Sequence, residues 1–412
     1  METYTASKQQ SWLSWFLKGI VILGGFILFS RLIELQIIKG SYFRILAEGN
    51  RIRRVPIIAP RGEILARGGE ALVGNRQVKK RVVFNPAEGY EKLDDITEAK
   101  EDEITTDWIR DYQLGKAFAH AGGYLGEAGP EEVGKINAQC PDKGVRKLGS
   151  LIGRSGLEQE YECILRGVDG EELIEVDTSG KRIRTLGRRD PVPGENIKTS
   201  INYSLQKKVF ELMADKPGAV IVTDTNGQVL AIYSSPSFDP NIFVNEVEAD
   251  KVDAVLNDKN LPMFNRAIGG LFHPGSVFKP IVAIAALEEG KIDADFVYDD
   301  PGQITIKSVY GTFTYSNWYF TQYGRKEGLI EIKRAITRST DTFFYKIGEL
   351  TGIEKLEEWA NLFGLDEKTG IDIPGEIAGL VPNPGWKLET RNEPWFLGNT
   401  YHVSIGQGDI AL

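Results

Sequence analysis

Cysteine and histidine are both scarce in this 412-residue chain, which has two of the first and three of the second. Cys140 and Cys163 stand at a spacing that fits no zinc or redox motif, so neither a disulfide framework nor a metal site is expected. His120, His273 and His402 are scattered, and metal ligands must cluster to bind, so no metal triad is expected either. An excess of basic residues is also missing. The net charge of −9 argues against a nucleic-acid binder. There are no internal repeats and no low-complexity tracts, which removes solenoids and arrays. What remains is an ordinary globular composition, 42% hydrophobic and 26% charged, with material for two or three domains.

The N-terminus departs from this plainness. WLSWFLKGIVILGGFILFS, residues 12–30, is apolar almost throughout and long enough to span roughly 30 Å of hydrocarbon as a helix. Lys18 can snorkel to the interface, and Trp12 and Trp15 suit the interfacial belt. No small-x-small cleavage site follows Ser30, so an uncleaved anchor is expected, with residues 1–11 as a cytoplasmic tail. Lys8 and Lys18 precede the span, while Arg51, Arg53 and Arg54 follow it. Charge therefore does not set the orientation, and long domains are exported largely regardless of it.

Beyond the anchor, residues 55–75 read as short strands broken by Pro60, Gly62 and Gly68–Gly69. RVVFNP at 81–86 is extended, and EKLDDITEAKEDEITTDWIRDY at 91–112 is acidic and helix-compatible, its charges a solvated face. A helix follows the glycine-containing loop of 149–167, and 171–187 alternates like a hairpin turning at Ser179–Gly180. The proline-punctuated run 188–194 marks a domain boundary. After it, 204–215 is an amphipathic helix with Ser204 as N-cap. GAVIVTDTNGQVLAIYSS at 218–235 is a hairpin around Asn226–Gly227. A helix over IVAIAALEE stops at Gly290, and further helical patterns occupy 328–337, 342–351 and 353–364. A hairpin flanked by helices predicts an α+β or α/β domain.

Ser276-Val277-Phe278-Lys279 opens the IVAIAALEE helix as an S-x-x-K motif. Residues three apart share a helix face, so the Lys279 amine can approach Ser276 Oγ and, when neutral, take its proton. Ser204-Leu205-Gln206-Lys207 matches the same pattern. Context separates them: Ser276 follows a Pro-Gly turn and precedes a very apolar helix that holds its first turn rigid.

NRAIGGLFHPGSVFKP resembles the active-site segment of class B penicillin-binding proteins. Arg338-Ser339-Thr340-Asp341-Thr342-Phe343-Phe344 is similar to that family's second motif, S-x-N or S-x-D, in the Asp form of the elongation-type branch. The resemblance implies that Ser339 relays protons between the lysine, the nucleophile and the leaving group, with Asp341 as a hydrogen-bonding, substrate-side partner. Ser237-Phe238-Asp239 also fits S-x-D but resembles a non-catalytic stretch of the family. Segments 31–65 and 156–170 resemble entry to and exit from the family's pedestal; TGIDIPGEIAGLVPNP and SIGQGDIAL resemble transpeptidase segments.

The expected architecture is an anchor at 12–30, a β-rich pedestal (dimerisation-type) domain at 50–195 and an α+β or α/β transpeptidase domain from 215 to 412. The implied function is a peptidoglycan D,D-transpeptidase of cell-wall elongation that cross-links stem peptides through a serine acyl-enzyme at Ser276. No metal or organic cofactor is implied. β-Lactams would be inhibitors; the implied partners are the cytoplasmic membrane, a glycan polymerase and morphogenesis proteins, with the catalytic domain extracytoplasmic. The family's third motif, K-[TS]-G, lies on a strand. Lys368-Thr369-Gly370 follows a charged turn instead and reads as a decoy, so the true motif is expected after Leu412 and the domain is expected to be truncated. The same motifs serve β-lactam sensors, and a non-catalytic scaffold of the cell-wall machinery is the reading from a different class.

Overall fold

A computed structural model describes residues 11–85, 89–93, 95–97, 104–177, 182–213, 216–244, 249–308 and 311–412. The apolar N-terminus forms a helix, Ser11–Ile33, continued by one wider turn, Glu34–Ile38. The stretch Trp12–Ile38 is long and apolar enough to cross a membrane, and none of it is buried against the rest of the chain. A second helix, Gly40–Arg51, leads into the first sheet. Residues 1–10, most of the tail expected at the start, lie outside the described residues.

Strands β1 (Ile52–Ile57), β2 (Ile64–Leu65) and β3 (Ala71–Asn85) follow the breaks at Pro60, Gly62 and Gly68–Gly69. β4 (Gly89–Leu93) and β5 (Ile104–Asp111) both pair antiparallel with β3. The acidic 91–112 segment is therefore strand over 91–93 and 104–111 and irregular over 95–97, with no helix among its described residues. Its local composition permits helix, but pairing with the long β3 decides the outcome. A small hairpin, β6 (Leu125–Glu127) and β7 (Leu151–Gly153), precedes the helices Gly156–Glu160 and Glu162–Leu165. β8 (Gly170–Val176) then pairs with both β1 and β9 (Arg182–Arg189). The Ser179–Gly180 turn lies outside the described residues. β10 (Ile197–Lys198) returns to pair parallel with β2. Val192 bridges Val168, and Gly194 N–H donates to Pro60 O, so the 188–194 run is woven into this first unit.

Cys140 and Cys163 form a disulfide, contrary to the expectation from their spacing. The fold brings their Cα atoms to 5.6 Å across a separation of 23 residues. Closing such a loop stabilises the fold by about 3 kcal/mol in the chain-entropy account.

The second unit begins with helix Tyr203–Met213. Asn202, not Ser204, caps it: Asn202 Oδ1 accepts from Leu205 N–H at 3.0 Å. Ser204 is exposed. β11 (Gly218–Thr223) and β12 (Val229–Ser235) form the expected hairpin. Asp224 Oδ1 accepts from Asn226 and Gln228 N–H, which builds the turn. Among the described residues β11 pairs with β12 alone, and its other edge borders a cavity of about 1440 Å³.

Helix Lys279–Glu288 follows, ended by Glu289 and by Gly290 at φ +62°. Two short ladders come next. β13 (Val297–Asp300) pairs with β16 (Gly328–Glu331), enclosing the hairpin β14 (Gln303–Ser308) and β15 (Gly311–Ser316). The 328–337 segment thus opens as strand and becomes helix only at Ile332–Arg338. Helices Asp341–Thr351 and Ile353–Leu362 match their predicted places. Val282, Ala285 and Ala286 pack with Phe343, Phe344, Ile347 and Leu356 into one core. All seven side chains are essentially solvent-free, so truncating Phe343 or Phe344 to alanine costs roughly 3–5 kcal/mol. This core fixes the relative position of the two helices whose first turns carry Lys279 and Asp341.

Side chains join the two units. Gln206, fully buried, donates to Ala117 O and Ile232 O and accepts from Ile232 N–H. His120 Nε2–H donates to Pro262 O at 2.8 Å and the ring meets Phe238 edge-on. Burial holds the His120 imidazole down at about 4, against an ordinary 6.5. At neutral pH the ring is neutral in folded and unfolded chains alike, so the stability is intact. Below 6.5 the unfolded chain takes up a proton that the folded one refuses, and stability drains until about pH 4. The wild type should therefore lose about 3 kcal/mol more than His120→Asn between pH 7 and 4, measured by urea unfolding. Parallel losses in the two proteins would show that His120 does not carry this dependence.

Candidate active site

The chain approaches Ser276 through Gly275, at φ +58°, a conformation that favours glycine. Gly275–Phe278 is one turn of 3₁₀ helix, and the α-helix proper begins at Lys279. The difference from the predicted α-turn has a consequence. At three residues per turn, positions i and i+3 eclipse, so Ser276 and Lys279 lie on one line. Pro280 falls in the first α-turn, where its missing N–H costs nothing. Ser276 is exposed; Lys279 is only 2% exposed.

Ser339 comes from the opposite side. Helix Ile332–Arg338 ends in a Schellman arrangement, with Ser339 N–H donating to Ile336 O and Thr340 N–H to Ala335 O. Ser339 takes the left-handed position of that cap, at φ 53° and ψ 46°, where glycine is the usual residue. A non-glycine residue there is strained by about 1 kcal/mol or more, and such strain gathers at functional sites. Asp341 follows at the first turn of helix Asp341–Thr351, where the helix dipole favours a carboxylate.

The four predicted residues meet. Ser339 Oγ stands 2.8 Å from Ser276 Oγ and 2.9 Å from Lys279 Nζ. Lys279 Nζ also donates to Ser339 O at 3.0 Å and to Asp341 Oδ1 at 2.5 Å. Its ammonium lies 5.2 Å from the centre of the Phe344 ring. Burial pushes the Lys279 amine below the ordinary lysine value, while the Asp341 carboxylate pulls it back up. The expected direct approach of Lys279 to Ser276 is replaced by a bridge through Ser339.

The rival motifs lie elsewhere. Ser237 Oγ donates to Lys116 O, and Asp239 caps the short turn Pro240–Phe243. Lys368, Thr369 and Gly370 are exposed, with Thr369 and Gly370 held by Glu376 and bordering the cavity beside β11. Ser204 sits on the outer face of its helix. Sequence reasoning missed two supports of the site. Gly275 N–H donates to Gly406 O at 2.8 Å, and Trp318 Nε1–H donates to Arg338 O at 2.8 Å. The SIGQG segment was singled out, without this role; for Trp318 no local pattern announces a partner twenty residues away.

Two family models match: the penicillin binding protein transpeptidase domain over residues 218–411 and the penicillin-binding protein dimerisation domain over 90–199. The chain is 32% identical to the peptidoglycan D,D-transpeptidase MrdA of Acinetobacter baumannii, over 95% of this chain and 64% of the relative. Against MrdA of Escherichia coli the identity is 31%, over 95% and 68%. The chain thus spans about two thirds of the length of these curated relatives. A solved complex between penicillin-binding protein PBP2 and MreC from Helicobacter pylori matches with a TM-score of 0.71 at 25% identity, covering 87% of this chain and 74% of that one.

Proposed function

This chain belongs to the penicillin-binding transpeptidase family, and from that premise we propose that it is a serine acyltransferase cross-linking peptidoglycan stem peptides during cell-wall elongation. The observation that carries the reading is the continuous hydrogen-bonded line from Ser276 Oγ through Ser339 Oγ to Lys279 Nζ.

Proton bookkeeping supports it. A protonated Lys279 spends its three N–H bonds on Ser339 O, Ser339 Oγ and Asp341. The neutral amine keeps two of these and turns its lone pair to Ser339 O–H. Ser339 Oγ is then free to accept from Ser276 O–H. As Ser276 Oγ attacks the carbonyl of the penultimate D-alanine, its proton passes to Ser339 and that of Ser339 to Lys279. The ammonium returns a proton to the departing terminal D-alanine by the same route. An amine from a second stem peptide resolves the ester, with the relay first taking and then returning a proton. β-Lactams acylate the same oxygen, but the nitrogen released by ring opening stays tethered to the acyl group, so nothing departs to make room for the acceptor amine.

The helix over 12–38 anchors the chain in the cytoplasmic membrane, with both folded units outside. The Cys140–Cys163 disulfide suits that oxidising side. Partners follow the similar solved structures. One is an MreC-like morphogenesis protein, as in the PBP2–MreC complex. The other is a glycan polymerase, as in a peptidoglycan synthase complex that coordinates polymerization and crosslinking and matches at 27% identity with a TM-score of 0.67. A stem peptide ending in D-alanyl-D-alanine, given with an acceptor amine, should release D-alanine and form a cross-link, both blocked by penicillin. Ser276→Ala should do neither. Release by Ser276→Ala would move the nucleophile elsewhere, and penicillin binding without release would favour a sensor.

A further inference from the structure

Resting on the Ser276–Ser339–Lys279 relay, we infer that Asp300, at the end of β13, is the positioning residue for Ser339. Asp300 is 1% exposed and lies outside the relay. Its carboxylate accepts four hydrogen bonds from four separate places. Oδ1 takes Gly302 N–H at 2.9 Å and Thr342 Oγ–H at 2.6 Å. Oδ2 takes Asn317 Nδ2–H at 2.9 Å and Glu327 N–H at 2.9 Å.

Each of three donors leads to a flank of Ser339. Thr342 belongs to the first turn of helix Asp341–Thr351, so its bond fixes the C-terminal side and the Asp341 carboxylate with it. Asn317 caps helix Trp318–Tyr323, its Oδ1 accepting from Phe320 N–H, and so presents Trp318. Trp318 Nε1–H holds the carbonyl of Arg338, the residue just before Ser339. The Arg338 guanidinium lies against the Trp318 and Tyr319 rings, 5.0 and 4.9 Å from their centres. It pairs with Glu327 at 2.8 Å, the residue whose N–H Asp300 also binds. Both sides of a left-handed, strained serine are thus tied back to one buried carboxylate. Ser339 Oγ must serve two partners below 3 Å at once, so a small slip breaks the relay.

Asp300→Asn keeps the shape but turns one oxygen into an amide NH2 donor, which must face a backbone N–H that then has no acceptor. Thr342→Val removes one of the four bonds, together with the one that Thr342 Oγ accepts from Asn317 Nδ2, and provides a second variant should Asp300→Asn fail to fold. Labelling time courses with a fluorescent penicillin at several concentrations separate non-covalent binding from the acylation step. In the folded variants the acylation constant should fall about 10- to 100-fold while the binding constant moves less than about threefold. The acid limb of the acylation pH profile should also shift in both. Folded Thr342→Val, or folded Asp300→Asn, acylating at the wild-type rate overturns the assignment. An unlabelled wild type would sink the transferase reading and this one with it; a labelled wild type with unchanged variants sinks only this one.

Discussion

Replacing Lys279 with arginine is expected to reduce acylation of Ser276 by about 100- to 10,000-fold, the range a positioned general base contributes. The two side chains carry the same charge at neutral pH, but the guanidinium does not deprotonate in a protein and can accept no proton from Ser339. Burial that lowers the Lys279 amine has no comparable purchase on an arginine. The slot is tight, with Lys279 only 2% exposed, so the larger group also costs about 1–3 kcal/mol of stability. Acylation must therefore be followed well below the thermal transition, beside Lys279→Met, which has similar length and no charge. Both variants should bind penicillin weakly and label negligibly. An arginine variant that labels at the wild-type rate would take the base role away from Lys279.

The second large effect should come from a backbone atom. Gly406 has φ +70°, and a Cβ placed there would stand 2.2 Å from Gly275 O and 2.7 Å from Gly275 N. Both neighbours are main chain, so no rotamer relieves the clash; the turn carrying Ser276 must move. Gly406→Ala should lower acylation at least about 100-fold, as displacements near 1 Å do. Gly408→Ala is the control. It sits two residues on at φ +79° and its Cβ would meet His402 Cβ at 2.9 Å, away from the Ser276 turn. It should cost comparable stability and leave acylation within about threefold of wild type. Equal losses of acylation in the two would mean that the loop matters only for folding.

Much of this site was legible in the residues because part of it is local. A serine and a lysine three apart, behind Pro-Gly and ahead of an apolar helix, share a helix face by spacing alone, although the 3₁₀ turn that sets them on one line was not foreseen. Ser339 and Asp341 were found only through a resemblance, since nothing in a window around Ser276 reaches 63 residues along the chain. Asp300, Asn317 and Thr342 were not found at all. Each is an ordinary turn or cap residue by its neighbours, and their meeting is decided by how β13 and two helices pack. The fold divided the same way. The Asn226–Gly227 hairpin and the 342–364 helices follow from local periodicity. The β5 strand does not, because its pairing with β3 outweighs an acidic composition, and the Cys140–Cys163 bond depends on a loop meeting a helix.

The central claim is that Ser276 Oγ becomes the acyl oxygen, and peptide mapping after penicillin treatment tests it most directly. Trypsin cuts after Arg266 and Lys291 but not at the Lys279–Pro280 bond, which yields a peptide of residues 267–291 in which Ser276 is the sole hydroxyl-bearing residue. The penicilloyl mass should appear on that peptide and vanish in Ser276→Ala. Label on the peptide bearing Ser204, or label that persists without Ser276, would contradict the assignment.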